Sequence, residues 1–177
     1  NPKTSAQMNH RDYFTKVVAL CKILKKVEGI AKRSSRTGRN PKMSAYSYLI
    51  KAFMNAEDRT SAPYKPIWHN VDIGPGDIGD ASFTTNIDSG SLYLEWDYPN
   101  LPINASANDI MVCVIIDWEN LEWYVDPGAM KRFEGSNEFV LSPHFTNVNT
   151  PKAVIAFFIS PDKSQWSAEF PLLSNIQ

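Results

Sequence analysis

A chain of 177 residues, 43% apolar and 12% aromatic, fits one domain of ordinary size or a core domain with an appendage, and its apolar content excludes wholesale disorder. The net charge of −1 hides a split: residues 1–62 carry 13 Lys and Arg against 4 Asp and Glu, whereas residues 63–177 carry 5 against 15. No apolar run is longer than residues 110–116, far short of the ~20 residues of a membrane helix, and no charged start leading into an apolar run marks a signal peptide.

Residues 1–29 read as a turn and then a helix. Thr4 and Gln7 fit a capping box, in which each side chain bonds the other's backbone N–H. Tyr13, Phe14, Val17, Leu20, Cys21, Leu24 and Val27 follow at helical spacing, and Gly29 is a natural stop. Residues 30–42 form a basic loop carrying Lys32, Arg33, Arg36, Arg39 and Lys42, with no acid from Gly29 to Ala56. Such a loop suits an anionic partner. It is too long for a helix-turn-helix turn, and no aromatic is interleaved for base stacking, so nucleic acid ranks low among the partners. Residues 43–55 read as a second helix, with Ser44 as N-cap and Ala45, Tyr46, Leu49, Ala52 and Phe53 on its apolar face. Pro63 and Pro66 mark a linker, and the composition changes there.

From Ile67 the period is that of strands. Residues 67–73, 81–87, 91–98, 109–118, 121–125, 138–141, 153–159 and 165–170 are the expected strands, with turn residues between them. Leu92, Leu94 and Trp96 alternate with Tyr93, Glu95 and Asp97, the pattern of a half-buried strand, while residues 110–116 suit a central one. Asn120 and Pro161-Asp162 mark hairpin turns. The expected architecture is α+β: a basic helical region over 1–62, two helices joined by a basic loop, then an acidic antiparallel β-sandwich over 63–177, of immunoglobulin or fibronectin type III character. Trp96 is expected in its core. Cys21 and Cys113 lie in apolar runs of different elements and read as buried free thiols.

Chemistry-bearing motifs are few. Gly74, Gly76 and Gly79 match G-x-G-x-x-G by letters, but no helix pattern follows, Pro75 removes a donor and Asp77 and Asp80 repel phosphate, so the stretch reads as a turn. Asp72, Asp77, Asp80 and Asp88 lack calcium-loop spacing, and His10, His69 and His144 lie on separate elements without zinc spacing. No nucleophile with a recognisable base is present. The expectation is therefore no catalytic residue, no metal site and no cofactor. Asn104-Ala105-Ser106 is a glycosylation sequon by its letters. One surface remains: the hairpin holding Trp118, Trp123 and Tyr124 among alternating acids. Trp118 and Trp123 could share a sheet face there, either as packing or as a platform for a sugar or a protein.

The opening Asn1-Pro2-Lys3-Thr4-Ser5-Ala6-Gln7, followed by Arg11 and Phe14, resembles the N-P-[RK]-T-x-x-Q-x-x-x-R-x-x-F motif of a Bacteroidetes family of unknown function. The order of the later parts agrees: a second helix with Ala45-Tyr46, a Gly74-Pro75 turn, then a sandwich containing Leu94-Glu95-Trp96. Members of that family carry a Gly-rich segment before the motif, so the resemblance implies that the natural chain begins further upstream. It implies no activity. Similar openings occur in phage-like proteins, which points to an assembly part. The expected function is that of a non-enzymatic structural or interaction protein. Its expected partner is a second copy or another protein, with a glycan as the alternative, and the basic part of one copy would dock on the acidic part of the next.

Overall fold

The computed structural model describes residues 4–27, 29–30, 43–74, 76–79, 81–98, 100–126, 128, 130–167, 170–173 and 175–176, the last two segments as backbone. The chain divides into two compact units, Asn1–Gly74 and Pro75–Gln177, so residues 63–74 go with the helices.

In the first unit, α1 spans Ser5–Leu24. The Thr4 hydroxyl accepts from the Gln7 N–H (3.2 Å) and the Gln7 side-chain oxygen accepts from the Thr4 N–H (3.1 Å), the reciprocal cap expected from the sequence. Tyr13, Val17, Leu20, Cys21 and Leu24 form the buried stripe, whereas Phe14 lies off it and is 44% exposed. The helix stops at Leu24 rather than at Gly29; the Lys25 N–H closes it on the Cys21 carbonyl, and Gly29 turns the chain at φ +85°. The second helix, α2, spans Ala45–Asn55, with Ser44 accepting from the Ser47 N–H (3.2 Å). Leu49, Ala52 and Phe53 are its buried face. The Tyr13 hydroxyl donates to the Phe53 carbonyl at 2.5 Å, and burial, then the charge of Glu57, raises the Tyr13 phenol well above its ordinary range. Burial alone pushes the Cys21 thiol up to about 12, so it stays protonated at neutral pH.

Two short strands follow, β1 (Glu57–Asp58) and β2 (Lys65–Pro66), paired antiparallel. The strand expected over residues 67–73 does not form. Trp68–Asn70 close a 3-10 turn instead, held by the Asn70 N–H on the Ile67 carbonyl (2.9 Å) and the Val71 N–H on the Trp68 carbonyl (3.1 Å). The apolar residues there, Trp68, Val71 and Ile73, are buried. Trp68 meets Phe53 edge-on, with centroids 6.1 Å apart.

The second unit contains β3 (Phe83–Asp88), β4 (Ser91–Trp96), β5 (Ile110–Asp117), β6 (Glu122–Asp126), β7 (Ser136–Val140), β8 (Ala153–Ile159), β9 (Phe170–Leu173) and β10 (Asn175–Ile176). Among the described residues these make two four-stranded sheets, β10-β3-β4-β7 and β6-β5-β8-β9. Every pairing is antiparallel except that β10 runs parallel to β3, a departure from the all-antiparallel expectation. The last strand is also displaced: Trp166 and Ser167 make only isolated bridges, and the ladder resumes at Phe170. The β3–β4 hairpin turns on Ser89 and Gly90, both at positive φ (51° and 82°), the geometry of a two-residue primed turn.

One apolar core joins the two sheets. Phe83, Ile87, Leu92, Leu94, Trp96 and Phe139 come from one sheet, and Met111, Cys113, Ile115, Val154, Ala156 and Phe158 from the other. Phe83 stacks on Phe158 at 5.5 Å and Trp96 meets Phe158 edge-on at 5.7 Å, so the expected core tryptophan is in place. Each fully buried side chain of this size contributes about 1.5–3 kcal/mol relative to exposure, so this layer dominates the stability of the unit. The alternate residues of β5 and β8, among them Val112, Val114, Ile155 and Phe157, are buried as well, which explains the uninterrupted apolar runs of those central strands.

Candidate functional site

The aromatic hairpin is β5–β6, in register Ile116↔Trp123 and Ile115↔Tyr124. Strand period 2 then sends Tyr124, beside the core residue Ile115, toward the inter-sheet core, and Trp123 to the opposite face. Trp123 is 36% exposed, whereas Trp118 sits in the turn after β5 and is 7% exposed. Tyr124 and Trp123 thus face opposite sides of the hairpin, and of the two tryptophans Trp123 is the one with substantial exposed surface. Lys32, Arg33, Arg36 and Arg39 lie outside the described residues.

Tyr124 instead helps line a cleft of about 340 Å3 on the open side of the second unit, between the edge strands β6 and β7. Tyr124, Met130 and Phe139 line it along with the acids Asp126 and Glu138, and Pro143 and His144 lie at its margin. The Tyr124 and His144 rings stack with centroids 4.0 Å apart. Burial, and then the charge of Asp126, raises the Tyr124 phenol, which stays a neutral hydroxyl at pH 7.

The backbone phase of β7 completes this geometry. The Leu141 N–H donates to Gly90 O (3.0 Å) and the Trp96 N–H to Gly135 O (2.9 Å). In an antiparallel ladder these fix Asn137 and Phe139 as the residues whose backbone groups face β4. Ser136, Glu138 and Val140 therefore turn theirs toward the open edge. The Glu138 N–H is held there by the Asn137 side-chain oxygen at 2.9 Å, and Val140 is 57% exposed.

A second cleft, about 310 Å3, lies in the helical unit and is lined by Ala6, Gln7, His10, Arg59 and Tyr64. Glu57, whose side chain is 1% exposed, bonds two of these lining residues, His10 and Arg59. No sequence motif marks this cluster, because His10 and Glu57 are 47 residues apart. Elsewhere two buried cations serve the core. Arg132 lies 3.3 Å from Asp109 with its guanidinium 4.0 Å from the Phe158 ring centroid, and Lys152 lies 3.1 Å from Asp117. The G-x-G-x-x-G letters occupy irregular backbone before β3; the Asp77 and Ile78 N–H groups are bound by the Trp166 carbonyl (2.6 and 3.0 Å), so they are not turned to a phosphate.

No helix among the described residues is long and apolar enough to cross a membrane. In comparisons with known proteins, no family model, no curated protein and no solved structure matches the chain.

Proposed function

We propose that the chain is a non-enzymatic interaction protein of immunoglobulin or fibronectin type III character. Its open β6–β7 side receives an extended basic segment from the N-terminal part of a second copy. The observation that carries this reading is the β7 edge. It offers outward backbone groups at Ser136, Glu138 and Val140 beside a cleft that holds Asp126 and Glu138. An added strand gains main-chain hydrogen bonds along β7 and sends alternate side chains to its two faces, one set over Tyr124 and Phe139 and the other, where a Lys or Arg meets Glu138, on the Tyr93 face. The charge division, 13 basic against 4 acidic residues over 1–62 and 5 against 15 over 63–177, makes another copy a complementary partner. Strand order supports the fold assignment: with β3 to β9 lettered A, B, C, C′, E, F and G, the sheets are A-B-E and C′-C-F-G, a Greek-key sandwich arrangement.

Sedimentation velocity across sodium chloride concentrations tests the reading. Average mass is expected to rise at low salt and fall to that of the monomer as salt screens the contact. Val140→Pro removes an outward donor from an edge strand, where proline is tolerated, and is expected to abolish association without unfolding. A monomer at every salt and concentration would overturn the proposal. Salt-sensitive association unchanged in Val140→Pro would retain charge docking and reject β7 as its site.

A further inference from the structure

The cleft in the helical unit has a different chemistry, and it follows from how its groups bond one another. Glu57 Oε1 and Oε2 lie 2.7 and 3.0 Å from His10 Nδ1, and Oε2 also accepts from Arg59 Nε at 2.8 Å and lies 2.6 Å from Arg59 Nη2. An ionised carboxylate only accepts, so His10 Nδ1 carries the hydrogen and the ring is fixed in orientation. His10 Nε2 is then the ring nitrogen left for a ligand, and the ring keeps 43% of its side chain exposed. Arg59 commits Nε and Nη2 to Glu57, which leaves Nη1. Gln7 commits its oxygen to the Thr4 N–H at 3.1 Å, which leaves its NH2 group. Tyr64 adds a phenolic hydroxyl to the lining.

The capacity left over includes several donors: Arg59 Nη1–H, the Gln7 NH2 group and the Tyr64 hydroxyl, joined by His10 Nε2, which accepts in the neutral ring and donates in the protonated one. Glu57 bonds two of the lining side chains. It is buried beneath His10 and Arg59, and its charge is met by the Arg59 guanidinium rather than presented to solvent. A donor-rich cleft beside a fixed guanidinium suits a ligand made of acceptor oxygens. We infer that the Gln7–His10–Arg59–Tyr64 cleft binds a small oxyanion group, a carboxylate or a phosphate. The buried Glu57 acts as the positioning residue that holds His10 and Arg59 in place. This site is independent of the strand-docking surface on the second unit.

The test follows the His10 imidazole proton signals by NMR during titration of the full chain. Inorganic phosphate, acetate and sodium chloride are added separately at matched ionic strength and constant pH, with His69 and His144 as internal references. A saturable shift of the His10 signals with phosphate or with acetate, beyond that with chloride, is expected and identifies which oxyanion class the cleft takes. Arg59→Gln is expected to weaken that binding about tenfold or more, as loss of a charge-assisted bond does. Tyr64→Phe removes one hydroxyl and leaves the Glu57 cluster whole; it is expected to weaken binding about threefold to tenfold, and it keeps the test decisive if Arg59→Gln fails to fold. His10 signals that respond to phosphate and acetate only as they do to chloride would overturn the inference. So would wild-type affinity in a folded Tyr64→Phe chain together with wild-type affinity or failure to fold in Arg59→Gln.

Discussion

Lys152 is fully buried, and its ammonium is surrounded by acceptors: Asn147 O at 2.7 Å, Thr150 O at 2.8 Å, Thr150 Oγ1 at 2.6 Å and Asp117 Oδ2 at 3.1 Å. Asp117 in turn accepts from the Asn120 N–H (3.0 Å) and the Thr150 hydroxyl (2.9 Å). Burial on its own would raise the Asp117 carboxyl, but the Asn120 and Thr150 bonds and the Lys152 charge together hold it below the usual carboxylate range. Removing one partner leaves the other charge buried without its counter-charge. Asp117→Asn is therefore expected to cost about 3–5 kcal/mol in urea unfolding at pH 7, and pairing it with Lys152→Met to recover a large part of that loss. Simple additivity of the two losses would refute the coupling. Because the folded pKa is depressed, the acid-linked stabilisation is present above the unfolded value near ~4 and is lost as pH falls through the lower folded value. The wild-type urea midpoint should accordingly drop more between pH 5 and pH 3 than that of Asp117→Asn. None of this was legible in the sequence. Asp117 stood out only as one acid of an aromatic hairpin, and Lys152 lies 35 positions away on the approach to a different strand.

Among the elements, the helices were the most legible because their determinants are local. The Thr4–Gln7 box and the Ser44 cap stand where the sequence placed them, and Thr4→Ala is expected to cost about 1 kcal/mol by urea unfolding. The box gives Thr4 and Gln7 a local role in starting the helix. Strand existence was legible from alternation, but pairing was not. Residues 67–73 alternate without a partner strand, and Phe170–Leu173 pairs despite Pro171, which an edge strand accommodates. The glycine-rich stretch teaches the same lesson. Its third glycine, Gly79, matters for packing: an added Cβ would clash with Pro102 Cβ and sit 2.9 Å from the Ile103 carbonyl oxygen, with the Gly79 N–H bonded to that same oxygen at 2.9 Å. Gly79→Ala is expected to cost about 1–3 kcal/mol through overpacking. Gly135→Ala has open space around its Cβ and only a φ of +74° to strain it, so about 1 kcal/mol is expected there. Thermal or urea midpoints of the two variants separate steric from conformational demand, and a smaller loss at Gly79 than at Gly135 would contradict the packing role.

At the scale of the whole chain, the helices, the strands and the charge division were legible, whereas the exposed edges were not, because an edge is a property of topology. Among the described residues of the second unit the sheet edges are β10, β7, β6 and β9, and β7 and β10 each follow a strand of the other sheet. Asn175 and Ile176 lie parallel to Asn86 and Ile87 of β3, so the C-terminal residues satisfy backbone groups that β3 would otherwise leave at an edge. Ending the chain after Leu173 converts β3, a six-residue strand with Phe83 and Ile87 in the core, into an unprotected edge. Two consequences are expected. The stability loss should be modest, about 1–2 kcal/mol, because only a two-residue ladder is removed and each net hydrogen bond is worth about 1 kcal/mol. Self-association should rise and should persist at high salt, because a bare edge pairs through its backbone rather than through charge. That salt response separates it from the docking proposed at β7, which screening weakens. Sedimentation of the truncated chain at low and high salt makes the comparison. Association that disappears with salt, or a truncated chain no more associated than the full one, would mean that β10 does not guard β3.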